Sequence, residues 1–205
     1  MLESVPSDYR YVDCGTMSGL SLAYPFTMTA WVYNAVVSPD AAPIAKTVNT
    51  GSGYQGPMIW LSGSKINAYW AGGVRATGAT NVTSVATWQM FGICWTGNTA
   101  KVFLNGRLDG SAATTTAPSG ATAPLTIMSY SAGTGRAMWG QVSECAVWTR
   151  PLSDAEFLEL YRRDAGYLAR ELTQTTRVRT YGFVPPSFKA AWALRRSQII
   201  GGGLR

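Results

Sequence analysis

The 205-residue sequence contains no histidine, and charged side chains make up only 14% of it. Histidine is the general base of Ser-His-Asp and Cys-His systems and a frequent zinc ligand, so its absence removes these nucleophile systems and most zinc sites. No predicted strand holds the two carboxylates that a glycosidase requires. Gly201–Gly203 lacks the lysine and the following helix of a phosphate-binding loop. We therefore predict no catalytic residue, no metal ligand and no cofactor.

Long apolar segments are also missing from the chain. No stretch approaches the ~20 apolar residues that cross a bilayer. Residues 1–15 have neither a basic start nor an apolar run, which argues against a signal peptide. We therefore expect synthesis in a cytoplasm and no contact with a membrane. The three cysteines, Cys14, Cys94 and Cys145, are widely spaced among apolar residues, a pattern typical of reduced core thiols.

The abundant residue types favour an all-β fold. Apolar residues make up 46% and aromatic residues 12% of the chain, with eight tryptophans and 22 glycines, which is enough for one well-filled sandwich. Phe26–Asn34 alternates with the two-residue period of a strand, and this period places Phe26 and Trp31 on opposite sides. Trp88–Trp95 is a nearly continuous apolar run, as expected for a central strand that is covered on both faces.

Turn residues predict two hairpins and one long loop. Ser62-Gly63-Ser64 separates the strand candidates Met58–Leu61 and Lys65–Trp70. Asn105-Gly106 supplies the two positive-φ positions of a type I′ turn. The stretch Ser111–Ala123 consists of Ser, Thr, Ala, Gly and one Pro, and we predict that it is a surface loop.

One short helix is predicted near residue 155. Ser153-Asp154-Ala155-Glu156 has the form of a capping box, in which the Ser153 hydroxyl and the Glu156 carboxylate each accept from the other residue's backbone N–H. Phe157, Leu160 and Tyr161 then form an apolar stripe on one side of the helix. Because the helix is short, packing and not intrinsic propensity must hold it.

The charge of the chain is unevenly distributed. Residues 1–171 carry eleven basic and eleven acidic side chains, whereas residues 172–205 carry six basic side chains and no acid. We predict a sandwich domain over residues 1–165 and an extended C-terminal arm over residues 166–205 that orders on an acidic partner; a solvated tail is the alternative. The candidate partner-binding residues of the arm are Arg177, Arg179, Phe183, Pro185, Pro186, Phe188, Trp192, Arg195, Arg196, Ile199 and Ile200.

Five sequence segments resemble, in order, the laminin-G-like branch of the concanavalin A-like lectin/glucanase superfamily. The segments are Phe26–Val32, Pro43–Lys46, Trp88–Gly92, Val102–Gly106 and the closing strand and helix signature Trp139–Tyr161. The resemblance implies an antiparallel two-sheet jelly-roll β-sandwich with one short helix after the last strand, and it implies little about function. Calcium-binding relatives place several acids at one rim, whereas the acids of this chain are dispersed, so we expect no calcium site.

Two aromatic residues are candidates for glycan binding. The period of the first hairpin places Trp60 and Tyr69 on the face opposite the apolar core positions, where they would form an aromatic platform for sugar rings. The alternative is that both side chains pack beneath a loop or against a neighbouring subunit, because tryptophans in sandwiches are mostly core residues.

The arm distinguishes two functional hypotheses. The segment Phe188–Arg205 resembles the ends of phage and prophage jelly-roll proteins, so we predict a non-enzymatic bacteriophage virion protein, such as a capsid decoration or cement protein, made in the host cytoplasm. Its partners would be other virion proteins or neighbouring copies of itself. The alternative is a lectin-like carbohydrate-binding protein at a tail or fibre tip. Nucleic acid is less favoured, because the aromatics of the arm are too few and too far apart for a stacking groove.

Overall fold

A computed structural model of the chain describes residues 2–4, 11–17, 19–33, 40–82, 87–119, 122–130, 138, 140–172, 181–182, 192–193 and 195–196, with side chains described between residues 11 and 163. One helix, α1 (Asp154–Leu172), lies between the thirteenth and fourteenth strands. The strands in chain order are β1 (Leu2–Ser4), β2 (Val12–Asp13), β3 (Phe26–Tyr33), β4 (Asp40–Ala41), β5 (Ile44–Lys46), β6 (Met58–Ser62), β7 (Lys65–Trp70), β8 (Gly73–Thr77), β9 (Trp88–Trp95), β10 (Thr99–Leu104), β11 (Arg107–Ala113), β12 (Leu125–Ile127), β13 (Gly140–Trp148), β14 (Tyr181–Gly182), β15 (Trp192–Ala193) and β16 (Arg195–Arg196).

Two antiparallel sheets face each other across one core. Sheet one has the order β1-β13-β3-β9-β10-β11, and β15 also pairs with β13. Sheet two has the order β2-β12-β5-β6-β7-β8, and β4 also pairs with β6. β11 packs beside β8, and β10 packs over β7. The predicted jelly-roll β-sandwich is therefore confirmed.

Alternation along the strands fills the space between the sheets. In β3 the side chains of Phe26 and Met28 are fully buried in this interior, whereas Trp31 belongs to a separate cluster on the outer face of sheet one. Phe26 contacts Trp70 of the opposite sheet edge-on, with 5.4 Å between the ring centroids. The predicted division of β3 into two faces is therefore confirmed, and aromatic contacts between the sheets stabilise the core.

Both predicted hairpins are present, and one predicted loop begins later than expected. Asn105 and Gly106 have φ values of 50° and 76°, as a type I′ turn requires. A Cβ on Gly106 would lie 2.7 Å from the Cβ of Tyr161, so this glycine also lets α1 pack on the turn. The loop predicted over Ser111–Ala123 starts after Ala113, because residues 111–113 continue β11 and pair with β10.

The predicted capping box starts α1. The Ser153 backbone N–H donates to Glu156 Oε2 at 2.8 Å, and the Glu156 backbone N–H donates to Ser153 Oγ at 3.3 Å. Arg150 forms an ion pair with the same carboxylate at 2.5 Å. The helix continues to Leu172, beyond the short helix that the sequence predicted and across the boundary predicted at residue 165. Within the described ranges, no helix combines the length and apolar character that crossing a bilayer requires.

Part of the outer face of sheet one is covered by α1. The ring of Phe157 stacks on Phe103 with 3.6 Å between centroids and 9° between planes, and Tyr161 stacks on Trp31 at 5.5 Å. Phe157 is completely buried. The first turns of α1 are therefore held by packing, as the sequence analysis predicted.

Part of the C-terminal arm lies against the sandwich itself. Trp192 pairs with Val147 and Ala193 with Ala146, so β15 extends the edge of sheet one beside β13. Arg195 and Arg196 of β16 pair with β14. The remaining candidate residues of the arm lie outside the described residues: Arg177, Arg179, Phe183, Pro185, Pro186, Phe188, Ile199 and Ile200. The predicted role of the arm in partner binding stays a prediction.

Candidate functional site

Trp60 and Tyr69 lie on the outer face of sheet two, as predicted. Trp60 is in β6 and Tyr69 is in β7, and both side chains remain partly exposed. Their strand neighbours Ile59 and Ala68 point into the core and are fully buried. The hairpin therefore separates core side chains from two aromatic rings that reach the surface.

The two rings contact each other edge to face. Their centroids are 5.2 Å apart and their planes meet at 77°. Trp60 pairs with Asn67 and Tyr69 with Met58, so the two aromatic side chains are diagonal neighbours across β6 and β7. The rings consequently form a corner and not the flat platform that the sequence suggested.

Other aromatic and apolar side chains support this corner from within the same face. Tyr130 is buried, and Tyr54 meets it edge-on with 4.7 Å between centroids. Met58 is also buried in this cluster, which packs against Trp60 and Tyr69. We call Tyr54, Trp60, Tyr69 and Tyr130 the outer aromatic cluster. Its two edge-to-face pairs fix the orientation of the exposed rings.

A glycine-rich loop borders the outer aromatic cluster. Gly53 has φ of 109°, and a Cβ there would lie 3.1 Å from Gly72 Cα and 3.3 Å from the Tyr69 hydroxyl. The backbone N–H groups of Ala71 and Gly72 donate to the carbonyls of Gln55 and Tyr54 at 2.8 and 2.9 Å. The loop is thereby clamped to the β7–β8 turn. Only glycine at position 53 permits this close approach, which places the loop beside the edge of Tyr69.

One polar atom of the cluster has no hydrogen-bond partner. The indole Nε1 of Trp60 is buried and unpaired, and within the described part of the chain the same holds for Nε1 of Trp31. Leaving a buried donor unsatisfied costs ~1–3 kcal/mol. The neighbouring amide of Asn67 differs, because it donates to the carbonyls of Trp60, Ser62 and Lys65 at 3.2–3.4 Å.

Charged side chains on the edge strands β8 of sheet two and β11 of sheet one are engaged in structural contacts. Arg75 Nε and Nη2 donate to the carbonyls of Trp70 and Ala71 at 3.0 and 2.7 Å. Asp109 accepts from the backbone N–H and the hydroxyl of Thr80. Among the residues that the structure describes, no group of three or more Cys, Asp or Glu side chains is placed to hold a metal ion.

Lys46 is a buried cation whose contacts explain its burial. Its ammonium donates to the carbonyl of Thr16 at 2.7 Å and to that of Ala123 at 2.6 Å. Burial lowers the pKa of this lysine below its ordinary value. The two bonds join the segments that flank β2 and β12, so Lys46 acts as a structural tie between them.

A second aromatic pair lies on the outer face of sheet one. Tyr33 and Trp88 have ring centroids 5.8 Å apart with 54° between planes, and both are partly exposed. The sequence analysis missed this pair, because Trp88 was assigned to a strand covered on both faces. Coverage in fact begins at Met90, since Trp88 and Gln89 at the start of β9 keep exposed surface. The alternation of β3 places Tyr33 on the same face as Trp31, and this pattern alone could have indicated an aromatic surface there.

The acids on the described strands lie one to a strand. Glu3 is in β1, Asp13 in β2, Asp40 in β4, Asp109 in β11 and Glu144 in β13, so each lies on a different strand. A retaining glycosidase needs two carboxyl groups ~5 Å apart. The described strands place no two of their acids next to each other on one strand.

The arrangement of the two sheets is that of a concanavalin A-like jelly roll. The profile of a laminin G domain family, described as the concanavalin A-like lectin/glucanases superfamily, matches residues 6–157. The chain belongs to this superfamily, which confirms the resemblance noted in its sequence. A search of curated protein sequences found no match.

Solved structures with the same fold share little sequence with this chain. A candidate carbohydrate-binding protein from Bacteroides ovatus has a TM-score of 0.57 at 9% identity, over 68% of this chain and 41% of its own. The binding domain of Paraclostridial Mosquitocidal Protein 1 has a TM-score of 0.53 at 11% sequence identity, over 74% of this chain and 38% of its own. Trypanosoma rangeli sialidase has a TM-score of 0.51 at 13% sequence identity, over 75% of this chain and 24% of its own. The chain thus spans about two fifths or less of the length of these structures.

Proposed function

We propose that this chain is a carbohydrate-binding module and that the corner between Trp60 and Tyr69 is its sugar-contact site. The observation that carries the proposal is that two touching aromatic rings stay partly exposed on the outer face of sheet two and pack against a cluster that includes the buried Met58 and Tyr130. The fold is compatible with this function, since the Bacteroides ovatus structure of similar fold is described as a candidate carbohydrate-binding protein.

The chemistry of the corner suits a pyranose ring. The C–H face of a sugar is apolar and stacks on an aromatic face, while a second ring at 77° would contact the edge of the same sugar. Aromatic side chains with two rotatable bonds lose little conformational entropy on binding. The Tyr69 hydroxyl and the amide of Gln55, which bonds to Gly53 at 3.2 Å, lie at the border of the corner and offer hydrogen bonds to sugar hydroxyls.

Binding without catalysis follows from the arrangement of acids. The described strand carboxylates lie on five different strands, and paired carboxylates are what glycoside hydrolysis requires. We therefore propose a non-enzymatic module.

Titration of the purified chain with neutral and charged oligosaccharides tests the proposal. The probes are maltohexaose, cellohexaose, xylohexaose and sialyllactose. Binding of each probe is measured by titration calorimetry. We expect Trp60→Ala and Tyr69→Ala to weaken binding by about 10- to 100-fold, the range for truncating an aromatic anchor, and Trp60→Phe to retain most of it. Tyr24→Ala is the matched control, because Tyr24 is 72% exposed outside the cluster.

Two results would contradict this assignment. One is unchanged affinity in Trp60→Ala and Tyr69→Ala, and the other is absence of binding to every probe by the unmodified chain. Far-UV circular dichroism of each variant separates loss of binding from loss of folding.

The charge distribution supports a second candidate function, attachment to a phage virion. All six charges of the formal net +6 arise from residues 172–205, and such a basic segment suits docking on an acidic partner. The binding module would then be carried on a virion by its C-terminal arm. The similar structures reported above lend no support to a virion location, so this candidate depends on the charge distribution and the arm alone.

A further inference from the structure

The outer faces of the two sheets each carry one partly exposed aromatic pair. On sheet two this is the Trp60–Tyr69 corner, and on sheet one it is Tyr33 with Trp88. We infer that Tyr33, Trp88 and Gln141 form a second contact surface for an uncharged glycan, which makes the module bivalent. The inference rests on the proposed carbohydrate-binding function.

Strand register brings the three side chains into one row. Tyr33 pairs with Trp88 of β9 on one side and with Gln141 of β13 on the other. Residues that are directly opposite in antiparallel strands have Cβ atoms ~4.5–5.5 Å apart and point to the same face. The row therefore spans about two strand spacings, or roughly 10 Å, which is about the size of two sugar rings.

The neighbouring row on the same face contains Trp31, an aromatic residue that α1 covers. Trp31 pairs with Met90 and Ser143, and its ring is only 2% exposed beneath Tyr161 of α1. Tyr33, Trp88 and Gln141, in contrast, are all partly exposed. The aromatic surface of sheet one thus continues past the part that the described side chains of α1 cover.

The side chains of the row specify an uncharged ligand. Tyr33 contributes a phenol, Trp88 an indole N–H, and Gln141 an amide with both donors and an acceptor. Aromatic faces with neighbouring amides match the apolar C–H face and the hydroxyl edge of a neutral sugar. None of the three side chains supplies the guanidinium or ammonium that would pair with a sugar carboxylate.

Two sites on opposite faces have a consequence for binding strength. Sheets in a sandwich pack ~10 Å apart, so one sugar unit cannot contact both surfaces. A glycan-coated surface or a branched polymer can engage both, and linked binding raises apparent affinity by 10²–10⁴-fold where the geometry allows it. Monovalent oligosaccharides would bind each site separately.

Calorimetric stoichiometry with the same oligosaccharide probes tests the inference on the full chain. We expect two sites per chain for the neutral probe that binds best, one site in Trp60→Ala, one site in Trp88→Ala, and none in the double variant. Gln141→Ala and Tyr33→Ala provide variants that avoid removing an indole, and each should weaken one of two sites by about tenfold. Tyr24→Ala should keep two sites.

The outcomes separate this inference from the function on which it rests. One site that is lost in Trp60→Ala and unaffected in Trp88→Ala, Gln141→Ala and Tyr33→Ala would overturn the second surface and leave the proposed function intact. Preference for sialyllactose at the site that depends on Trp88 would overturn the uncharged ligand. Absence of binding to every probe would overturn both proposals.

Discussion

Replacing Phe157 with alanine tests whether α1 is an integral part of the sandwich. The Phe157 side chain is completely buried and stacks on Phe103 at 3.6 Å. Its ring also occupies the space above Gly92, where a Cβ would lie 2.5 Å from Phe157 Cε1. Gly92 therefore leaves the space that the ring of Phe157 fills.

The expected loss of stability is large. Truncating a buried phenylalanine to alanine costs ~3–5 kcal/mol because of lost transfer energy and the cavity that remains. Loss of the stacked pair with Phe103 adds ~0.5–1.5 kcal/mol. Since ~1 kcal/mol shifts the Tm of a chain of this size by about 2–4 °C, a loss of about 4 kcal/mol corresponds to a decrease of roughly 8–16 °C.

Urea denaturation followed by tryptophan fluorescence and far-UV circular dichroism measures this loss. Glu159→Ala is the matched control, because Glu159 is exposed on the same helix and its removal should change stability by less than ~0.5 kcal/mol. A decrease below ~1 kcal/mol in Phe157→Ala would refute the argument, since it would mean that α1 can leave the sheet without cost to the sandwich.

Two further predictions concern the helix start and the arm. The ion pair with Arg150 and the Ser153 N–H lower the pKa of Glu156 to about 2; a lowered carboxyl pKa adds stability above pH ~4.5 that is lost as the pH falls to ~2. Because the pair is exposed and screened, we expect Glu156→Gln to cost only ~0.5–1 kcal/mol at pH 7 and less than half of this at pH 2 in urea titrations, and equal losses at both pH values would contradict this. Deleting residues 173–205 should abolish incorporation into virus particles while glycan binding persists, and undiminished incorporation would refute the attachment role.

Much of the fold could be predicted because local rules and the global structure agree. The alternation of β3 matches its two buried faces, and the type I′ turn at Asn105-Gly106 has the predicted backbone angles. The capping box at Ser153 forms both expected bonds. In each case the sequence pattern specifies short-range geometry that the sandwich then uses without change.

The candidate site could be predicted only in part, because exposure depends on tertiary contacts. The period of the hairpin places Trp60 and Tyr69 on the outer face, but their angle of 77° depends on the diagonal register of β6 and β7. The clamp of the loop at Gly53 on the β7–β8 turn joins segments that no local pattern connects. The exposure of Trp88 likewise depends on where α1 lies on sheet one.

The outer aromatic rings are better explained by binding than by stability. The core between the sheets is already filled by fully buried side chains such as Phe26 and Trp70. Trp60 adds a buried indole N–H without a partner, which costs ~1–3 kcal/mol, while its partly exposed ring gains less than a core tryptophan would. Residues that violate local optimisation are expected at functional sites. Replacing Trp60 with the smaller apolar residue leucine should therefore lose the sugar contact, while the free energy of unfolding falls by less than the ~3–5 kcal/mol that truncating a buried tryptophan costs, because the unpaired indole N–H is removed as well.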